Sequence, residues 1–107
     1  MGNRRLARRI ARRVVRNIKA SSEKEEAMGE ARSALRRKGW SIAHPGGYDV
    51  KGETDEVAIA AQVEENGDIL QWQAWDQGTG SKEAVYRGND PPTSERVRRK
   101  LRVSKWS

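Results

Sequence analysis

Seven cationic side chains recur at helical spacing near the start of the chain: Arg5, Arg8, Arg9, Arg12, Arg13, Arg16 and Lys19. At about 100° per residue they occupy one half of a helix. Leu6, Ile10, Val14 and Ile18, with Ala7, Ala11 and Val15 beside them, occupy the other half. Arginine presents a planar fork that holds a phosphate through two hydrogen bonds and keeps its charge at any working pH. The chemistry these residues suit is therefore neutralisation of a nucleic-acid backbone, with affinity that falls steeply with salt. Like charges three and four residues apart repel by a few tenths of a kcal/mol per pair. Such a helix needs a core to cover or an anion to neutralise it. The same pattern also fits the solvated face of a core helix, a helix in an anionic lipid interface or a cleaved presequence.

Two further groups could assist. Arg98, Arg99 and Arg102 belong to a basic stretch from Arg96 to Lys105, followed by Trp106, that fits a second phosphate-binding element, a Trp-anchored protein contact or simply a solvated, frayed helix. Gln62, Gln71, Gln73 and Trp75 alternate along two stretches that should pair as strands. An aromatic on a sheet stacks a base for roughly 1–3 kcal/mol, and amides can read base edges. Beside Ala58 and Ala60, the same residues equally suit a covering helix anchored on Trp75.

Catalysis finds little material. His44 is the only histidine, set in a Pro-Gly-Gly loop, and the absence of cysteine removes thiol nucleophiles, disulfides and zinc thiolates. Asp49, Glu53, Asp55 and Glu56 lack the spacing of a calcium loop. Gly78-Thr79-Gly80 is too short for a phosphate-binding fingerprint. We expect a protein that is not an enzyme and that needs no cofactor and no metal.

The elements that must position these groups follow from pattern. The 107 residues make one small domain, and 22 basic against 15 acidic side chains give a net charge of +7, which points to a polyanionic partner. The charge is segregated, with both ends basic and the stretch 41–95 acidic. The ends either dock on that acidic middle or reach outward. Leu, Ile and Val supply only 17 residues, a low aliphatic share, so part of the chain is expected to order against a partner. No apolar run approaches the roughly 20 residues that span a bilayer.

Residues 1–20 are expected as a basic amphipathic helix or arm, and residues 21–107 as a single α+β domain. A second helix should start at Ser22, where Ser22 and Glu25 have capping-box spacing. Ala27, Met28, Ala31, Ala34 and Leu35 form its buried stripe, and Gly39 its left-handed cap. His44-Pro45-Gly46-Gly47 reads as a turn, and Tyr48 to Gly52 as a short strand with Tyr48 and Val50 on one face. Asn66-Gly67 marks a two-residue hairpin turn. It sets Val57, Ile59, Ala61 and Val63 opposite Asp76, Ala74, Trp72 and Leu70, under the second helix. Lys82 to Arg87 could add a strand, giving three to four in an antiparallel sheet. A C-terminal helix should follow Asp90-Pro91-Pro92-Thr93 and run to about Lys105.

Gly78-Thr79-Gly80-Ser81-Lys82-Glu83-Ala84 slightly resembles the stretch that opens the last helix of double-stranded-RNA-binding domains. That resemblance implies a helix here with Lys82 on phosphate. Glu83 stands where the family has a second lysine, and Asp90-Pro91-Pro92 interrupts the helix that the family continues.

Together these readings lead to a small accessory protein that binds DNA or RNA with low sequence specificity through its first helix. It is expected to be cytoplasmic, or associated with a nucleoid or virion. The alternatives are a phage-type protein-binding module or inhibitor that presents an acidic sheet, and a charge-paired structural subunit that forms a homo-oligomer.

Overall fold

A computed structural model describes residues 22–102. The expected first helix, with Arg5, Arg8, Arg9, Arg12, Arg13, Arg16 and Lys19, lies outside the described residues, as do Lys105 and Trp106.

Residues 22–37 are helical (α1). Ser22 is already in helical conformation, so it is not the cap that its spacing with Glu25 suggests. At the other end Gly39 takes φ +89°. There the Trp40 N–H donates to Leu35 C=O at 2.9 Å and the Gly39 N–H to Arg36 C=O at 3.2 Å. This paired arrangement satisfies the last carbonyls and turns the chain sharply. Trp40 is thereby buried, and its indole N–H donates to Pro92 C=O at 2.9 Å.

Five strands follow: β1 Ser41–Ile42, β2 Val50–Glu53, β3 Val57–Ala61, β4 Gln71–Asp76 and β5 Glu83–Arg87. They pair antiparallel in sequence order. The sheet exceeds the expected three to four strands because β1, only two residues long, pairs with the end of β2. Residues 83–87 form a strand, so the helix implied by the RNA-binding resemblance is absent there. The last helix, α2 Ser94–Leu101, is capped by the Thr93 hydroxyl, which accepts from the Arg96 N–H at 3.1 Å. It ends earlier than expected, because Arg102 turns left-handed at φ 54°.

Both helices pack on one face of the sheet. Ala31 and Leu35 of α1 and Val97 and Leu101 of α2 join Val50, Val57, Ile59, Val63, Trp72 and Ala74 in one apolar cluster. Gly52 lets this happen, since a Cβ there would lie 3.0 Å from Trp40 Cβ and 3.4 Å from the Leu35 methyls.

The β3–β4 pairing has the expected register, with Val57 opposite Asp76, Ile59 opposite Ala74 and Ala60 opposite Gln73. Its turn differs. Glu64 C=O accepts from the Gly67 N–H, and the Glu64 N–H donates to Asp68 C=O, both at 2.8 Å. With Gly67 at φ +92°, this is a three-residue turn with a glycine bulge. It is one residue out of step with the strands, and the β4 side absorbs the slip at Ile69 and Leu70. A one-residue shift exchanges faces, so Ile69 is buried and Leu70 is 66 % exposed, the reverse of the expected arrangement. The Ile69 N–H, freed from the ladder, donates to Asn89 Oδ1 at 2.6 Å.

Gly67 also abuts α1, for a Cβ would lie 3.1 Å from Glu23 C=O and 3.3 Å from Ala27 Cβ. Gly67→Ala should cost about 1–2 kcal/mol from the left-handed backbone, plus whatever shift of α1 it forces. A lower urea midpoint at constant slope would show it, and an unchanged midpoint would refute it.

Candidate nucleic-acid interface

Strand alternation sends Lys51, Ala58, Ala60, Gln71, Gln73, Trp75, Glu83, Val85 and Arg87 to the face opposite the helices. No described helix covers this face. Even so, Ala58 and Ala60 are fully buried. Trp75 is the cross-strand neighbour of Ala58 and Lys51 that of Ala60, and these long side chains close over the small ones.

Tyr48 completes the platform. Its N–H donates to Pro45 C=O at 3.0 Å, so it leaves a tight turn rather than a strand. This is why it does not share a face with Val50, as alternation suggests. Its ring stacks on Trp75 with centroids 5.9 Å apart and planes 25° apart, and its hydroxyl donates to Gln73 Oε1 at 3.3 Å. The Lys51 ammonium sits 5.5 Å from the Trp75 ring centroid, within reach of a cation–π attraction. Gln62 Nε2 donates to Gly47 C=O at 2.8 Å and ties the turn to the end of β3. His44 Nδ1 accepts from the Gly46 N–H at 3.2 Å within the same turn.

Tyr48 and Gln73 separate two shallow depressions. One, of about 390 Å³, is walled by Ala60, Gln62, Leu70 and Gln71. The other, of about 350 Å³, is walled by Trp75, Glu83, Ala84 and Val85. The four expected recognition residues therefore do share one surface, though in different states. Gln71 is exposed and Trp75 partly exposed, while Gln62 and Gln73 each spend a polar atom within the protein. On this face the strands carry Lys51 and Arg87 with Glu53 and Glu83, and Glu64 adds a third carboxylate at the wall of the first depression.

The C-terminal cations stand elsewhere. α2 lies on the helix-covered face, so Arg98, Arg99 and Arg102 are not brought together with Trp75. Arg99 holds Glu95 at 2.6 Å, Arg98 approaches Glu56 at 4.0 Å, and Arg102 serves as the helix's C-cap. Arg96 lies 5.0 Å from the Tyr86 ring centroid.

The carboxylates of the middle region are also partly engaged. Asp49 accepts the Val63 N–H at 2.7 Å and pairs with Lys24 at 3.5 Å. Asp76 organises the β4–β5 loop, accepting N–H bonds from Thr79, Gly80 and Lys82 at 2.7–2.9 Å together with the Thr79 hydroxyl. Those bonds, led by the Thr79 and Lys82 N–H groups, hold its carboxyl well below the usual carboxylate range. The Gly78–Ser81 stretch is therefore a loop wound about its own carboxylate.

Sequence reasoning missed Tyr48 and Lys51. Lys51 becomes visible once β2 is paired with β3, because its partner is Ala60. Tyr48 owes its side of the sheet to turn geometry, which alternation does not encode. No family model, curated protein or solved structure matches this chain. No described helix is long and apolar enough to cross a membrane.

Proposed function

We propose that this is a non-enzymatic nucleic-acid-binding accessory protein that uses two elements. The cationic segment bearing Arg5 to Lys19 neutralises backbone phosphate, and the sheet face opposite the described helices receives unpaired bases against Trp75 and Tyr48. The observation that carries this reading is the Tyr48–Trp75 stack, flanked by Lys51 and amides on a face that no described helix covers. Base stacking on aromatics tolerates any sequence because every base has a π-face, which fits DNA or RNA bound with little preference.

Trp75→Ala should weaken binding of a labelled single strand by roughly 5–150-fold, the equivalent of losing about 1–3 kcal/mol of stacking. Duplex binding, which depends on phosphate, should change little. Fluorescence anisotropy with both probes would check this, with a thermal melt to confirm folding. Equal loss for both probes, or none, would end the base-stacking role.

A further inference from the structure

β5 is the last strand of the sheet, and only β4 pairs with it among the described residues. The Asp76 N–H donates to Lys82 C=O at 3.1 Å and the Gly88 N–H to Leu70 C=O at 2.9 Å. These bonds identify the hydrogen-bonded pairs of the β4–β5 ladder, and antiparallel pairs alternate. Gln71–Arg87, Gln73–Val85 and Trp75–Glu83 are consequently the non-bonded pairs. The N–H and C=O groups of Glu83, Val85 and Arg87 therefore point away from β4, toward an edge that no described strand pairs with. An open row of this kind is a template for another strand. β5 contains no proline to block it.

We infer that β5 pairs with β5 of a second copy of this chain, antiparallel about Val85. In that register Val85 meets the partner's Val85, and Glu83 meets the partner's Arg87 on both sides of the twofold axis. All three are bonded pairs, so the outward donors and acceptors of both strands are satisfied together. On the helix-covered side, small Ala84 faces the partner's bulky Tyr86. The charge pattern selects this orientation, since in-register parallel pairing would set Glu83 and Arg87 each against its own kind. The contact also covers Val85, which is 54 % exposed. A five-residue edge falls at the low end of specific interface sizes, so the dimer is reversible. Its two sheets run on as one, placing both Trp75 faces on a single surface.

The test is sedimentation of the full chain, without nucleic acid, over a wide concentration range. The natural protein should show a monomer–dimer equilibrium. Glu83→Arg and Arg87→Glu should each weaken it roughly tenfold or more, because two attractive cross-strand pairs become two repulsive ones. The double variant E83R/R87E should restore the natural affinity, with the charges exchanged but again opposed. A monomer at every concentration, a dimer indifferent to the single changes, or a double variant as weak as the singles would each overturn the pairing.

Discussion

Trp72→Ala should be the most damaging single substitution in the described fold, with a loss of about 3–5 kcal/mol. Trp72 is fully buried in β4 and belongs to the cluster that α1 and α2 cover. Its indole N–H also donates to Asn89 C=O at 3.1 Å, and Asn89 Oδ1 in turn holds the Ile69 N–H. Removing the ring thus opens a large cavity and loosens the clip that closes the bulged end of the β3–β4 hairpin. Few other large side chains are present to collapse into the gap, because the chain has four tryptophans, no phenylalanine and only 17 large aliphatics. A domain of this size is held by roughly 0.05–0.15 kcal/mol per residue, so the loss would consume much of its stability. Trp72→Phe should be milder, losing one hydrogen bond worth about 0.5–1.5 kcal/mol and leaving a smaller cavity, since the Asn89 carbonyl belongs to an exposed residue that water can reach. Urea denaturation followed by circular dichroism would rank the two. A Trp72→Ala midpoint close to the natural one would mean that the core is centred elsewhere.

The parts of this fold legible in the sequence were those fixed by local pattern. The alternation of Val57, Ile59, Trp72 and Ala74 sufficed to set the central register, and the glycine after α1 marked its end. What escaped depended on turns. Asp55-Glu56 closes the β2–β3 hairpin through the Thr54 hydroxyl, which accepts from the Val57 N–H at 3.1 Å. Neither turn residue takes positive φ, so no glycine announces it. Asn66-Gly67 did announce a turn, but the dipeptide serves a two-residue loop and a bulged three-residue loop equally well, and the difference reversed Ile69 and Leu70. Where large aliphatics are few, Trp40 and Trp72, with alanines that admit close approach, fill the core of the described residues. For the candidate site, three glutamines and Trp75 were readable from alternation. Tyr48 was not, because the turn from Pro45 aims it.

The second large effect concerns salt. All 15 acidic residues lie within 22–102, where they outnumber the cations by two, so the surplus behind the net charge of +7 resides in the segments 1–21 and 103–107. Within the described fold, Asp49, Glu56, Asp90 and Glu95 already pair with Lys24, Arg98, Lys38 and Arg99. Those four carboxylates are spent within the described fold, and the proposed function sets an external polyanion against the first segment. Seven phosphate contacts would make binding fall by roughly 10³–10⁵ between 50 and 200 mM salt. A full-length variant with Arg5, Arg8, Arg9, Arg12, Arg13, Arg16 and Lys19 changed to glutamine keeps good helix formers at every position. It should bind duplex at least a hundredfold more weakly at the lower salt and show a far shallower dependence, since each lost contact removes about 0.9 from the logarithmic slope. Parallel salt slopes for the two proteins would remove those seven side chains from the interface. The phosphate contacts would then have to be sought at the end of α2, where Lys100 and the capping Arg102 are exposed.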